Sequence, residues 1–371
     1  MDFIPLLKVN LTDDDIAKVV NVLQSGMLVQ GKEVLALEKK ISNYLGVKHT
    51  IAASNGTATL HLALLALGIK PGDEVILPAL SYIATANVLE IVRAKPVFVD
   101  IDLSTFNIDV SQIEDKITSK TKAILPVHEF GLMSDMAAIL KIAKHHQLHV
   151  IEDAACALGA NLSNKNSGSF GNVGSFSLHP RKAITSGEGG FLTTDDEELA
   201  ERLRILRNHG AGLVNGKPEF VEAGLNYRLT DFQAALVNNQ MDRLEKSLEK
   251  KSILADHYFK KLNGHPKLLL PSIPENYRHS WQTYHVLFKD ETINRDDVIS
   301  SLKDKGIGTN YGAQCLPFQY FYQKKYGLDC KKLFPNALQA FQAGLALPMY
   351  DMLKLEEVDY VVECLIEILD R

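Results

Sequence analysis

Between residues 50 and about 195 the chain alternates short apolar, β-rich runs with stretches whose apolar positions recur at helical spacing. The runs near 49–53, 74–77, 96–99, 123–127, 149–152, 174–178 and 190–194 read as strands. Between the first two, Leu60, Leu64 and Leu67 fall on one helical face and Gly68 follows as a stop, which makes a βαβ unit. Further helices fit 84–93, 133–146 and 197–207, the last opening on Asp195, Asp196 and Glu197, where a helix dipole favours carboxylates. Alternation of this kind predicts an α/β fold with a mainly parallel sheet covered on both faces.

Residues 230–262 read as one long helix or two in sequence, with Arg243, Glu245 and Lys246 among Leu236, Met241, Leu244 and Leu248. This is the spine leaving the sheet. Beyond about residue 250 the pattern becomes α+β, with a strand over 281–288, a helix over 295–305 and an amphipathic helix over 354–369. No Pro/Gly/Ser-rich linker intervenes, so a large domain, 1–245, is expected to pack firmly on a smaller one, 246–371, with the N-terminal segment a candidate to lie on the small domain.

The 371 residues suit two or three folding units, and 46% hydrophobic with 23% charged residues excludes disorder and collagen-like repeats. A balance of 40 basic against 45 acidic residues, net −5, advertises neither a nucleic-acid nor a membrane partner and leaves a small molecule favoured. Four Cys without a C-x-x-C pair fit a reducing compartment and no structural zinc; no metal is expected. The start lacks a basic segment followed by an apolar stretch, and no apolar run reaches 18 residues, so the expected location is cytoplasmic.

Ligands of open α/β sheets sit beyond the carboxyl ends of the strands, and three places there stand out. Ser54-Asn55-Gly56-Thr57 follows a strand and opens a helix: an anion seat, or simply a capped turn. Val150 to Ala155 is an apolar strand ending in Glu152 and Asp153, where a buried carboxylate needs a cationic or N–H partner, unless Asp153 is only a helix cap. Gly174 to Lys182, followed by GEGG at 187–190, places a lysine in a turn between two strands, where desolvation would equip it to form a Schiff base.

Taken together, these residues resemble a pyridoxal-phosphate enzyme of the aspartate-aminotransferase fold (fold type I). More narrowly, the chain resembles the DegT/DnrJ/EryC/StrS sugar aminotransferases. The resemblance runs nearly end to end, through SNGTATLHLALLALGIKPGDEVILPALSYIATAN at 54–87, PVFVDID at 96–102, PVHEFG at 126–131, EDAACALGA at 152–160, SFSLHPRKAITSGEGG at 175–190, GLNYRLTDFQAAL at 224–236 and GLALPMY at 344–350.

The resemblance implies that Lys182 carries the pyridoxal 5'-phosphate and shuttles the proton, and that Asp153 keeps the pyridine nitrogen protonated so that the ring acts as an electron sink. It implies that Gly56, Thr57 and Ser177 bind the cofactor phosphate, that Tyr82 stacks on the ring and that Asn226 reaches the phosphate of a neighbouring subunit, making a homodimer with shared sites. His128, His179, Arg181 and Glu188 are candidates for the substrate side. Two departures bear on the substrate: Cys156 stands where many relatives carry Gln or His, and YGAQCLPFQ at 311–319 replaces a His-containing stretch.

The expected reaction moves an amino group from L-glutamate to a nucleotide-linked keto sugar, with carbon 4 of a 4-keto-6-deoxyhexose favoured by the TSGEGG run. Action at carbon 3, or a lyase or dehydratase reaction on the same fold, are the alternatives.

Overall fold

The seven apolar runs form one sheet in the computed structural model, which describes residues 2–370. Its strands are β1 (His49–Ala53), β2 (Glu74–Pro78), β3 (Lys95–Val99), β4 (Thr121–Ile124), β5 (His149–Asp153), β6 (Val173–Ser177) and β7 (Gly190–Thr194), in the spatial order β1-β7-β6-β5-β4-β2-β3. Strands β2 to β6 pair in parallel, whereas β7 runs antiparallel to both β6 and β1. Helices on both faces bury the strands, and the period of two divides their side chains between two cores. Val75 and Leu77 of β2 join Leu60, Leu64 and Leu89 on one face, while Ile76 joins Val34, Leu37 and Ile139 on the other.

The fourth strand stops at Ile124, short of the expected 127, because Pro126 has no N–H with which to continue the ladder. A single bridge from Val127 to Asp153 keeps the chain beside β5. The helix expected from residue 133 starts at Met136, where the Asp135 side chain accepts the Ala138 N–H. The expected spine is two helices, Asp231–Asp242 and Leu244–Leu262, broken at Arg243, whose guanidinium is held by the buried Asp15.

Two further helices, Asp13–Ser25 and Lys32–Leu45, lie outside the elements the pattern predicts. The second is capped from far along the chain: buried Asp231 accepts the N–H groups of Gly31 (2.7 Å), Glu33 (3.2 Å) and Val34 (3.0 Å). Asp231 thus supplies the oxygens that a local N-cap side chain would otherwise provide.

A third core gathers Tyr258, Tyr284, Val286, Leu345, Val358 and Leu365 around a three-stranded sheet of Leu268–Leu269, Tyr284–Phe288 and Gly344–Leu347. The strand expected from 281 begins at Tyr284, since Trp281 has a left-handed backbone (φ 50°) that a strand cannot include. Ile4 joins this core and exchanges backbone hydrogen bonds with Gly306 and Gly308. Among the described residues no helix is long and apolar enough to cross a membrane.

Candidate active site

The carboxyl edge of the sheet brings the three sequence motifs together. Ala53 of β1 lies opposite Gly190 of β7, and Gly190 opposite Ser177 of β6, so the Ser54–Thr57 turn, the GEGG run and the 175–182 segment meet side by side. Gly190 is required there: a Cβ would come within 2.6 Å of the Phe176 carbonyl oxygen and 2.9 Å of that of Asn55. Gly56 approaches equally closely, since a Cβ on it would stand 2.9 Å from the Ser177 Cβ.

The helix Gly56–Ala66 begins at this contact, with the Asn55 side chain accepting the Ala58 N–H at 2.8 Å. The N–H groups of Gly56 and Thr57 find no acceptor among the described residues. They form, with the half-buried Ser177 hydroxyl, a cradle of donors at the positive end of a helix, which is the chemistry of a phosphate seat.

Asp153 ends β5, 4% exposed. Its Oδ2 accepts the Thr85 hydroxyl at 2.8 Å and its Oδ1 the Ala155 N–H at 3.2 Å. Burial pushes the carboxyl above its ordinary pKa in spite of these donors and of Lys182 and His128 nearby. A carboxylate so placed gains most from a cation presented to it. Lys182 lies within electrostatic reach of Asp153, with Nζ 3.1 Å from Cys156 Sγ. Burial is the largest influence on the amine and works against the ammonium, but Cys156, Asp153 and Glu129 together outweigh it and its pKa stands above the usual value.

Glu129 is a member of this group that the sequence reading missed. Its carboxyl is buried and its pKa is pushed up to about 8, by burial first and the Asp153 charge second, with Lys182 pulling the other way. The one local signal is an acid next to His128 in the otherwise apolar stretch 125–133 that follows β4.

The remaining expected residues divide. Tyr82 is 66% exposed at the mouth, one turn before Thr85. His179 is half-buried and its Nδ1 accepts the Arg181 N–H at 3.2 Å, in the turn closed by the Lys182 N–H on the His179 carbonyl. Arg181 and Glu188 are exposed around it. Asn226 is also exposed, while Tyr227 beside it accepts the Ser54 N–H on its carbonyl.

His128, expected to face the substrate, does not. It has no exposed surface; Nε2 lies 2.9 Å from Glu152 Oε2, and Nδ1 accepts the Ser134 N–H at 3.2 Å. The reason is Glu152, a fully buried carboxylate that also gathers the N–H groups of Gly168, Phe170 and Gly171 and needs every donor it has. His128 is a brace for that network.

Residues 9–366 match the model of the DegT/DnrJ/EryC1/StrS aminotransferase family. The chain belongs to that family. The aminotransferase is 40% identical to GDP-perosamine synthase of Caulobacter vibrioides, with 91% of each chain covered. It is 36% identical to the UDP-4-amino-4-deoxy-L-arabinose–oxoglutarate aminotransferase of Shewanella sediminis, covering 99% of this chain and 98% of that one. In three dimensions it superposes on S. venezuelae DesV, solved in complex with a ketimine intermediate, with a TM-score of 0.92, 32% identity and complete coverage of both chains.

The enzyme is therefore a pyridoxal-phosphate-dependent aminotransferase with the aspartate-aminotransferase-like fold. The donor set fits that cofactor. Unpaired N–H groups at a helix start suit its phosphate, a buried carboxylate suits its ring nitrogen, and a buried amine suits its aldehyde, all around the edge of one sheet.

Proposed function

We propose that the enzyme transfers an amino group from L-glutamate to a nucleotide-linked keto sugar, at carbon 4 of a 4-keto-6-deoxyhexose. The observation that carries the reading is the electrostatic pairing of Lys182 with the buried Asp153 at the sheet edge that also holds the Gly56–Ser177 cradle. The substrate class, carbon 4 and the donor are supported by the relatives, one of which bears 4-amino-4-deoxy and oxoglutarate in its name.

Bound pyridoxal phosphate supplies an electron sink for charge on the carbon that gives up or receives nitrogen. Lys182 would hold the cofactor through Nζ, and the same amine would move the proton at the substrate carbon that gives up or receives nitrogen. Asp153 keeps a proton on the ring nitrogen, and Thr85 holds Asp153 in place. The Gly56 and Thr57 N–H groups and the Thr57 and Ser177 hydroxyls bind the phosphate. Tyr82 covers the ring face, and its exposure leaves it free to do so. Arg181, His179 and Glu188 border the sugar.

Asn226 completes the site of a second copy, so the active unit is a homodimer. Two exposed apolar groups support it: Leu213 and Phe220 on the hairpin of Ala211–Val214 and Lys217–Phe220, 71% and 76% exposed, and Ile16, Val20 and Leu23 on the helix Asp13–Ser25. The division into a large domain, 1–245, and a small one, 246–371, fits the separate third core built on Tyr258 and Tyr284.

The test is the absorption spectrum of the protein with and without L-glutamate, followed by the mass of the product formed from a nucleotide-linked 4-keto sugar. Conversion of the cofactor band by glutamate and a product carrying one new amino group are expected. A band that glutamate leaves unchanged would refute the donor and favour elimination chemistry.

A further inference from the structure

Asp153 and Lys182 share their pocket with an ionisable group that the proposed reaction does not employ. Glu129 is carried on the segment flanking Asp153, where the His128 N–H donates to the Asp153 carbonyl at 3.0 Å. Its own N–H donates to Asn107 Oδ1 at 2.9 Å, and the Asn107 amide donates to the Leu132 carbonyl at 3.1 Å, so the turn Glu129–Gly131 is pinned at both ends. Gly131 (φ 105°) lets that turn press against the C-terminal half of the chain, since a Cβ would lie 2.4 Å from Ser280 Oγ. The Glu129 side chain is 5% exposed, and its Oε2 meets no hydrogen-bond donor among the described residues.

Counting charge around this carboxyl shows one acid too many. Asp153 and Glu129 face a single ammonium, Lys182. Burial pushes the Cys156 thiol up, so it stays neutral. His279 and His285, which line a small cavity with Glu129, are pushed down to about 3 by burial and add no cation. His128 is engaged by Glu152. A second buried anion with one bare oxygen would be unpaired, and the neutral acid is the form that this arrangement supports.

We propose that Glu129 is a positioning residue of the active site: a buried, proton-bearing acid that acts through Lys182 and fixes how strongly the amine keeps its own proton. The inference rests on the proposed function only for the importance of Lys182. At low pH Glu129 is neutral and leaves the amine to Asp153. Once it ionises, its carboxylate stands beside the ammonium and holds the proton there.

The experiment is amine-selective labelling with acetic anhydride, read peptide by peptide by mass spectrometry, on the full chain stripped of cofactor. Between wild type and Glu129→Gln the Lys182 labelling rate is expected to agree within about twofold at pH 6, where both side chains are neutral, and to be about five- to tenfold faster in the variant at pH 9, a shift of about one pKa unit. A ratio that is the same at both pH values marks a merely structural lesion and overturns the proposal, as does equal labelling at pH 9. Wild type alone gives a second reading: the logarithm of its rate should rise less than proportionally between about pH 7.5 and 9, and a slope of one throughout overturns the proposal. Failure to take up pyridoxal phosphate would refute the proposed function and leave this cofactor-free measurement standing.

Discussion

Lys182 Nζ lies 3.1 Å from Cys156 Sγ, three residues beyond Asp153 in the chain. A thiol is a weaker hydrogen-bond partner than an oxygen acid, so the main service of this contact to the cofactor is to orient the amine. Cys156→Ala is expected to leave cofactor affinity within about threefold, whereas Lys182→Ala removes the cofactor's absorption band and lowers kcat at least about a thousandfold. Titration with pyridoxal phosphate, followed by absorbance and by steady-state turnover, checks both.

Asp153→Asn keeps the shape of the carboxylate and gives up its charge. The Thr85 and Ala155 contacts survive in part, so the protein folds, but the ring nitrogen loses its anionic partner. The glutamate half-reaction, followed by stopped-flow absorbance, is expected to slow by about two to three orders of magnitude.

The pH dependence of stability carries a sign that Glu129 decides. Its ordinary pKa is 4.5 and the folded protein holds it near 8, so between those values the folded chain carries a proton that the unfolded chain has released. Stability contributed by this group therefore falls as pH rises through that window. Glu129→Gln removes the dependence: its melting temperature, measured against wild type, should improve steadily from pH 5 to pH 8 and level off above.

Gly190→Ala tests the close approach behind the phosphate cradle. The new methyl would press on two main-chain carbonyl oxygens that cannot swing away, so about 1–3 kcal/mol of stability is expected to be lost, together with cofactor affinity. Denaturant unfolding of the cofactor-free protein, compared with cofactor titration, separates the two effects.

His128→Ala is expected to cost about 1–3 kcal/mol of stability, because the fully buried Glu152 loses its side-chain donor. The KM for the keto sugar should stay within about twofold, as His128 has no surface to offer a substrate. A large rise in KM with unchanged stability would return His128 to the substrate side.

The sheet was legible because strands buried on both faces leave continuous apolar runs, and the site because its motifs lie directly after those strands. The helix Lys32–Leu45 was not among the predicted elements, although Val34, Leu37, Ile41 and Leu45 form a plain helical stripe that marks it. Its neighbour Asp13–Ser25 was harder, because Ile16, Val20 and Leu23 turn outward and the apolar positions do not mark a buried face. Glu129 and the true surroundings of His128 were not legible. Both depend on which segments cross at Asp153 and Glu152, and sheet order, unlike periodicity, is not written in any local window.

The cap that Asp231 places on the helix Lys32–Leu45 spans 200 residues to Gly31. It has a consequence for the nascent chain. At about 5–20 residues per second the ribosome needs roughly 10–40 s to deliver the cap after the helix it serves has emerged. Strand β1 waits about two-thirds as long, since its partner in the sheet is β7, at residues 190–194. The first fifty residues must therefore stay unsatisfied through more than half of synthesis, and a chaperone that binds emerging apolar segments would find its longest-lived target there.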